Sequence, residues 1–369
     1  MQIKSYYIIL LSIILFSCSE DGLLPSRNKN STIYLIKKNS IDRIDLNEAI
    51  INDNYYSFTL NAEKATKNEN YIVLASSSNA NYDEEITIID LENGSKFTLD
   101  ITQELNYEYN IHTFWLNDVY IKNDKVYVLG IKVDYSDVVD DSLQLIEVDL
   151  KSKVITKSAL INHENTAANK YIKYVTDEGL YFNITDELLY FDLKSFNQLN
   201  STSIKTSFFP NNIIIDNDNT LNYYDIGLKN YFKLSNQGFT VDSKNTLDNL
   251  DLSPLTREYP VARLGNTFIG LYLTNTYPQV GIYQYDFKQL KTIKMIQEDE
   301  LNNIFTDTGY KVIHSDMIKV VDRNIVYFGQ IFNEEKSELE YIITILDSDF
   351  KIIDSFTFDP DSGIPISIL

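Results

Sequence analysis

Among 369 residues the chain holds one cysteine, one tryptophan, three histidines and 12 glycines. A lone cysteine excludes an internal disulfide, so an exported body must stand on its apolar core. Basic residues are also scarce. Lys and Arg number 32 against 53 Asp and Glu, a net charge of −21. Such a surface repels nucleic acid, whose binding rests on cations neutralising phosphates. It suits cations, neutral glycans, peptides or basic partners. No G-x-S-x-G elbow, phosphate loop or H-E-x-x-H pair occurs. The one long apolar run, Tyr6 to Phe16, is broken only by Ser12. It is too short to span a bilayer, which takes roughly 20 apolar residues.

That run instead fits the apolar region of a secretory signal, with Lys4 as its positive start. The sequence Leu15-Phe16-Ser17-Cys18 resembles the lipobox of bacterial lipoproteins, Phe16 being bulkier than usual. The resemblance implies cleavage before Cys18 and acylation of that residue, a multi-chain anchor such as palmitate and its companions supply. Ser19-Glu20-Asp21 resembles the acidic tag of surface lipoproteins of Bacteroidota. The expected organisation is a signal peptide over 1–17, a lipidated tether over 18–30 and one folded domain over 31–369. The expected place is the outer membrane, facing the cell surface or, alternatively, the periplasm.

The body has no long 3.6-residue apolar period. Short apolar runs separated by Asn, Asp and Gly argue for an all-β fold. A tight polar turn followed by an apolar strand recurs six times, as NENYIVLA (68–75), NDKVYVLG (123–130), DEGLYFNI (177–184), DNTLNYYD (218–225), GNTFIGLY (265–272) and DRNIVYFG (322–329). Each is followed by a second hairpin, its first strand often closed by Asp. A four-stranded unit repeated at this spacing predicts a β-propeller of six blades, with seven as the alternative. A further hairpin at 31–46 is expected to help close the ring, together with GIPISIL (363–369).

Architecture and lipobox together resemble the six-bladed, TolB-like propeller lipoproteins of Bacteroidota, a family that implies fold and location but no activity. Other propeller families are excluded. The chain lacks S-x-D-x-G-x-x-W boxes, repeated Trp-Gly pairs, glycine doublets, and Gly-His or Trp-Asp pairs.

Both hairpin turns of each unit are short, whereas the connections between hairpins and between units are longer. The long ones should share a face, where binding residues are expected. His112, His163 and His314 fall in or beside the connections between units, and no two have the local spacing of metal ligands. Trp115, read as part of a loop, either plugs the ring between blades or offers a stacking face. Arg257 and Arg263 either hold a ligand carboxylate or pair with nearby acids. The acidic stretches around Asp134–Asp141 and at 216–220 read as solvated loop and hairpin turn rather than calcium sites.

No cofactor or metal is expected. The leading expectation is a surface-anchored recognition module for a glycan, peptide or partner protein. The alternatives are a carboxylate-dependent hydrolase or lyase, which requires a close carboxyl pair, and a structural lipoprotein of an outer-membrane complex.

Overall fold

A computed structural model describes residues 32–46, 50–58, 61–77, 84–105, 112–134, 142–161, 170–184, 187–198, 204–205, 212–215, 221–225, 230–234, 241–246, 262–273, 280–289, 291–296, 298–305, 310–321, 323–358 and 365–369. Cys18 and the tether lie outside them.

The described strands form seven antiparallel sheets, which follow one another along the chain. The first joins β1 (Thr32–Ile36), β2 (Ser40–Asp45) and β3 (Ile50–Ser57) to the last strand of all, β29 (Ser367–Ile368). The second holds β4 (Asn61–Lys67), β5 (Tyr71–Ser77), β6 (Glu84–Asp90) and β7 (Lys96–Asp100). A one-turn helix, α1 (Ile101–Glu104), leads on to β8 (His112–Lys122), β9 (Lys125–Asp134), β10 (Ser142–Asp149) and β11 (Val154–Ile161). The fourth sheet comprises β12 (Lys170–Val175), β13 (Gly179–Ile184), β14 (Glu187–Asp192), β15 (Asn197–Gln198) and a fifth short strand, β16 (Ile204–Lys205). The fifth has β17 (Asn212–Ile215), β18 (Leu221–Asp225), β19 (Asn230–Leu234) and β20 (Val241–Thr246). The sixth has β21 (Ala262–Leu264), β22 (Thr267–Leu273), β23 (Val280–Asp286) and β24 (Lys291–Ile296). Helix α2 (Glu298–Phe305) precedes the seventh, made of β25 (Tyr310–Val321), β26 (Asn324–Asn333), β27 (Glu338–Leu346) and β28 (Ile352–Phe358).

Six of these sheets are the six repeats read from the sequence. The front hairpin is a complete sheet in its own right, giving seven, the alternative count. It closes as expected: β29 runs antiparallel to β1 with Leu35 opposite Ile368, and Tyr34 and Leu369 exchange backbone hydrogen bonds at 3.0 Å.

Each sheet packs on the next. Ile36 and Ile41 meet Ile72 and Leu74. Val73 and Ala75 meet Phe114 and Val126. Leu129 and Leu145 meet Leu180 and Phe182, and Tyr181 and Tyr190 meet Tyr223 and Phe232. Tyr224 stands edge-on to Phe268 at 4.6 Å between the fifth and sixth sheets. Ile269 and Ile282 meet Ile325 and Ile342. Phe328 and Ile343 of the last sheet then meet Ile33, Leu35 and Ile368 of the first. The seven interfaces make a closed propeller.

This ring explains why the repeats read as unbroken apolar runs. Successive side chains of a strand point to opposite faces. A second strand lies between two neighbouring blades, so both faces are covered and both parities must be apolar. In β5, Ile72 and Leu74 serve one interface while Val73 and Ala75 serve the other. All six residues of β13 are buried. The fourth strands lie at the rim and alternate, as in β11, where every second residue is exposed until Ile161.

The Asp that closes many third strands has a local task. Asp90, Asp192, Asp286 and Asp347 each accept, through Oδ1, two backbone N–H groups of the turn that follows. Carboxylates two to four residues ahead of such donors nucleate tight turns. Several turns then need a left-handed residue, met by Gly94 but also by Lys153, Phe196 and Phe350.

The first strands face the axis. Their neighbours across blades are one another: the Ile121 N–H of β8 reaches Thr66 Oγ1 of β4 at 3.4 Å. The Ile172 N–H of β12 reaches Asp118 Oδ2 of β8 at 2.7 Å. β29 fills the same position in the first sheet.

Candidate functional site

The inner strands break the rules that the middle strands obey. Extra residues enter the ladders of β4 between Ala62 and Lys64, β8 between Leu116 and Asp118, and β12 between Ile172 and Tyr174. β25 carries two such irregularities. Bulges disrupt the ladder locally and re-aim side chains. Here they occur where polar and charged residues enter the strands.

Asp118 is the best-defined of these. Its Oδ1 accepts the Val119 N–H at 2.9 Å and its Oδ2 the Ile172 N–H at 2.7 Å, so it ties the third blade to the fourth. Burial pushes its pKa up to about 6, against the pull of Lys64, of the two backbone donors and of Lys173. Its side chain is half-buried in accessible area yet enclosed by protein, as expected for a group at the axis of a ring. Beside it, the Lys64 and Lys173 ammonium groups stand 5.1 and 5.2 Å from the centre of the Tyr171 ring. Three blades thus contribute to one polar cluster.

At the end of the axis where the inner strands enter their tight turns, a cavity of about 570 Å³ opens between β4, β25 and β29. Thr66, Lys67, Asn68 and Glu69 line one side, Lys319, Val320 and Val321 another, and Ile368 and Leu369 a third.

The expected site residues divide. Trp115 lies not in a loop but in the first half of β8, paired with Ile131. It is 43% exposed, whereas its neighbour Phe114 is fully buried. The plugging role therefore belongs to Phe114, which crosses Gly130: a Cβ there would come within 2.3 Å of the Phe114 ring. The Trp115 ring is left uncovered. Arg263 lies in β21 beside the tight turn, donates from Nε to the Gly265 carbonyl at 2.9 Å and lies 5.3 Å from the Phe287 ring centre. It is thus near the opposite end of an inner strand from Trp115. His112 opens β8 opposite Asp134, and His314 pairs with Gln330 in β25. His163 and Arg257 lie outside the described residues, as do Asp137, Asp140, Asp141 and 216–220. Among the described residues no group of three His, Cys, Asp or Glu could hold a metal.

The long-connection face is uneven. Lys37–Asn39 joins β1 to β2 tightly, and Glu334–Ser337 is a four-residue turn in which Asn333 Oδ1 accepts the Glu335 and Lys336 N–H groups. The connections between units at 102–117 and 297–310 contain helical residues and the starts of β8 and β25.

Lys64, Asp118, Tyr171, Lys173 and Lys319 were missed by the sequence reading. The repeated phrase begins at the tight turn and runs into the strand after it, so the inner strand before it reads as connection. A signal existed: a lysine stands one to three residues ahead of several of those turns.

No family model matches this chain, and no curated protein matches it. Solved structures do. A quinonprotein alcohol dehydrogenase-like protein of Bacteroides thetaiotaomicron is 13% identical, with a TM-score of 0.55 over 93% of this chain and 79% of that one. Hydrazine synthase of Kuenenia stuttgartiensis matches at 10% identity and a TM-score of 0.52, over 90% of this chain and 98% of that one. A functionally unknown protein of Desulfotomaculum acetoxidans matches at 10% and 0.50, over 92% and 98%. Identities this low establish a shared fold alone.

Proposed function

We propose that this chain is a lipid-anchored recognition module, held at the outer membrane through Cys18, that binds its ligand at the long-connection end of the propeller without covalent chemistry. The observation that carries the reading is the exposed Trp115 ring. A tryptophan set in a rigid inner strand, uncovered beside a buried Phe114, offers a glycan or an aromatic-bearing peptide a fixed stacking face. Presentation on the cell surface follows from the Ser19-Glu20-Asp21 tag and a tether that sets the ring away from the lipid. The hydrolase reading requires two neighbouring carboxyls with separated pKa values. Asp118 has the raised pKa, but the charges that face it among the described residues are Lys64 and Lys173.

Trp115 is the sole tryptophan, so its fluorescence reports on this site alone. The soluble chain from Ser19 onward, titrated with oligosaccharide and peptide panels, should show a saturable spectral shift with one class. Trp115→Phe should bind that class weakly and Trp115→Ala not at all. A panel that leaves the emission unchanged would sink the stacking role. For the anchor, Cys18→Ala should release the protein from the membrane fraction; retention there would refute lipidation at Cys18.

A further inference from the structure

The chain is strongly acidic, yet its axis is not. The seven inner strands, β4, β8, β12, β17, β21, β25 and β29, carry eight Lys or Arg and three Asp or Glu, a net of +5. The whole chain has −21. The third strands, β2, β6, β10, β14, β19, β23 and β27, are its counterpoise, with two Lys or Arg and twelve Asp or Glu. The inner strands thus run counter to the overall charge.

The cavity between β4, β25 and β29 concentrates this feature. Most polar groups on its wall are already engaged. Asn68 Oδ1 accepts the Asn70 and Tyr71 N–H groups and its Nδ2 donates to the Asn123 carbonyl. The Lys67 ammonium lies 5.3 Å from the Tyr34 ring centre. Lys319 is different. It is half-buried in β25, between the buried Ile318 and the apolar wall of Val320 and Val321, and it has no ion pair or hydrogen bond among the described residues. Burial holds its pKa below the ordinary lysine value. An enclosed ammonium with no counter-charge among the described residues is costly, and a bound anion would offset that cost.

We propose that this cavity, at the tight-turn end of the axis, is a binding site for a small organic monoanion, a carboxylate whose head meets Lys319 Nζ and whose short apolar body lies on Val320, Val321 and Ile368. Three features select that chemistry. One ammonium with no partner among the described residues, Lys319, can neutralise one negative charge. The apolar wall accommodates a hydrocarbon stub. Glu69, exposed on the rim, repels a second negative charge and so disfavours phosphate. Thr66 Oγ1 accepts from Ile121, which leaves its own proton free to donate to the carboxylate. The site is independent of Trp115, which lies toward the other end of the ring, so either assignment can fail without the other.

The probe is butyrate, compared with phosphate and with butylammonium, by calorimetry on the soluble chain from Ser19 onward. Butyrate should bind and the other two should not. Lys319→Met keeps the side-chain length without the charge and should weaken butyrate about tenfold or more. Trp115 emission should stay unchanged throughout. A second measurement needs no variant: trace acetylation of the wild-type protein, read by peptide mass at Lys319, should slow when butyrate is present. No butyrate binding, equal binding of butylammonium, equal binding by Lys319→Met, or an unprotected Lys319 would each overturn the proposal. Phosphate binding at Lys319 would overturn the monoanion assignment.

Discussion

The middle strands and the inner strands of this propeller were built under opposite demands. A middle strand such as β13 is buried on both faces, pairs in register with β14 over its full length, and carries no charge. An inner strand such as β8 or β12 has one neighbour in its own blade and the open axis beyond. It is bulged, half-buried and charged. The difference separates two kinds of information. Middle strands specify the fold through apolar area. Inner strands use polar groups both to link blades and to present chemistry at the axis, because their backbone donors have no further strand to meet.

Substitutions should expose that division. Phe182→Ala, in β13, empties a fully buried site between two blades. It should cost about 3–5 kcal/mol in urea unfolding, the largest effect here. A cost under about 1 kcal/mol would mean that the blade interfaces do not carry the stability. In the inner strands the same chemistry should matter less and polarity more. Asp118→Ala leaves the Ile172 and Val119 N–H groups without their acceptor and should cost about 1–3 kcal/mol.

Asp118 also gives a test in pH. Its pKa is about 6 in the folded protein against an ordinary 3.8. The folded state therefore holds that proton more tightly than the unfolded chain. The resulting stability is complete below the lower value and is lost as pH rises through about 6. The difference in unfolding free energy between wild type and Asp118→Asn should accordingly move against the wild type across this window. A difference independent of pH there would argue against an enclosed Asp118.

Smaller effects mark the edges of the comparison. Lys153 holds a left-handed conformation in a tight turn, and Lys153→Gly should gain about 0.5–1 kcal/mol. Trp115→Ala should change stability within about 0.5 kcal/mol despite its size, since the ring is exposed. A large loss there would return Trp115 to a packing role.

This division also explains what could be read from the sequence. Two-sided burial writes itself as YIVLA, GLYFN or NIVYFG, and the Asp ahead of most outer turns marks the second hairpin. Four-stranded units, their order and the closing strand were therefore visible. The front hairpin passed for a partial unit because its inner strand, β29, comes from the far end of the sequence, a separation no local pattern reveals. The inner strands were hidden for another reason. Half-buried and bulged, β4 and β12 read as NAEKATK and KYIKYV, which match neither strict alternation nor an apolar run. The lysines of the inner strands therefore read as connection, and the total of −21 points away from an anion.

The pairing of β29 with β1 has a consequence for assembly in time. A ribosome releases Leu35 and Ile36 well before their distant partners Ile368 and Ser367. A chain exported from its N-terminus onward would cross the membrane with the edge of β1 still open. Among the described sheets, the first to begin is thus the last to be completed, and until then that edge is available to any other strand, including one from a second unfinished copy.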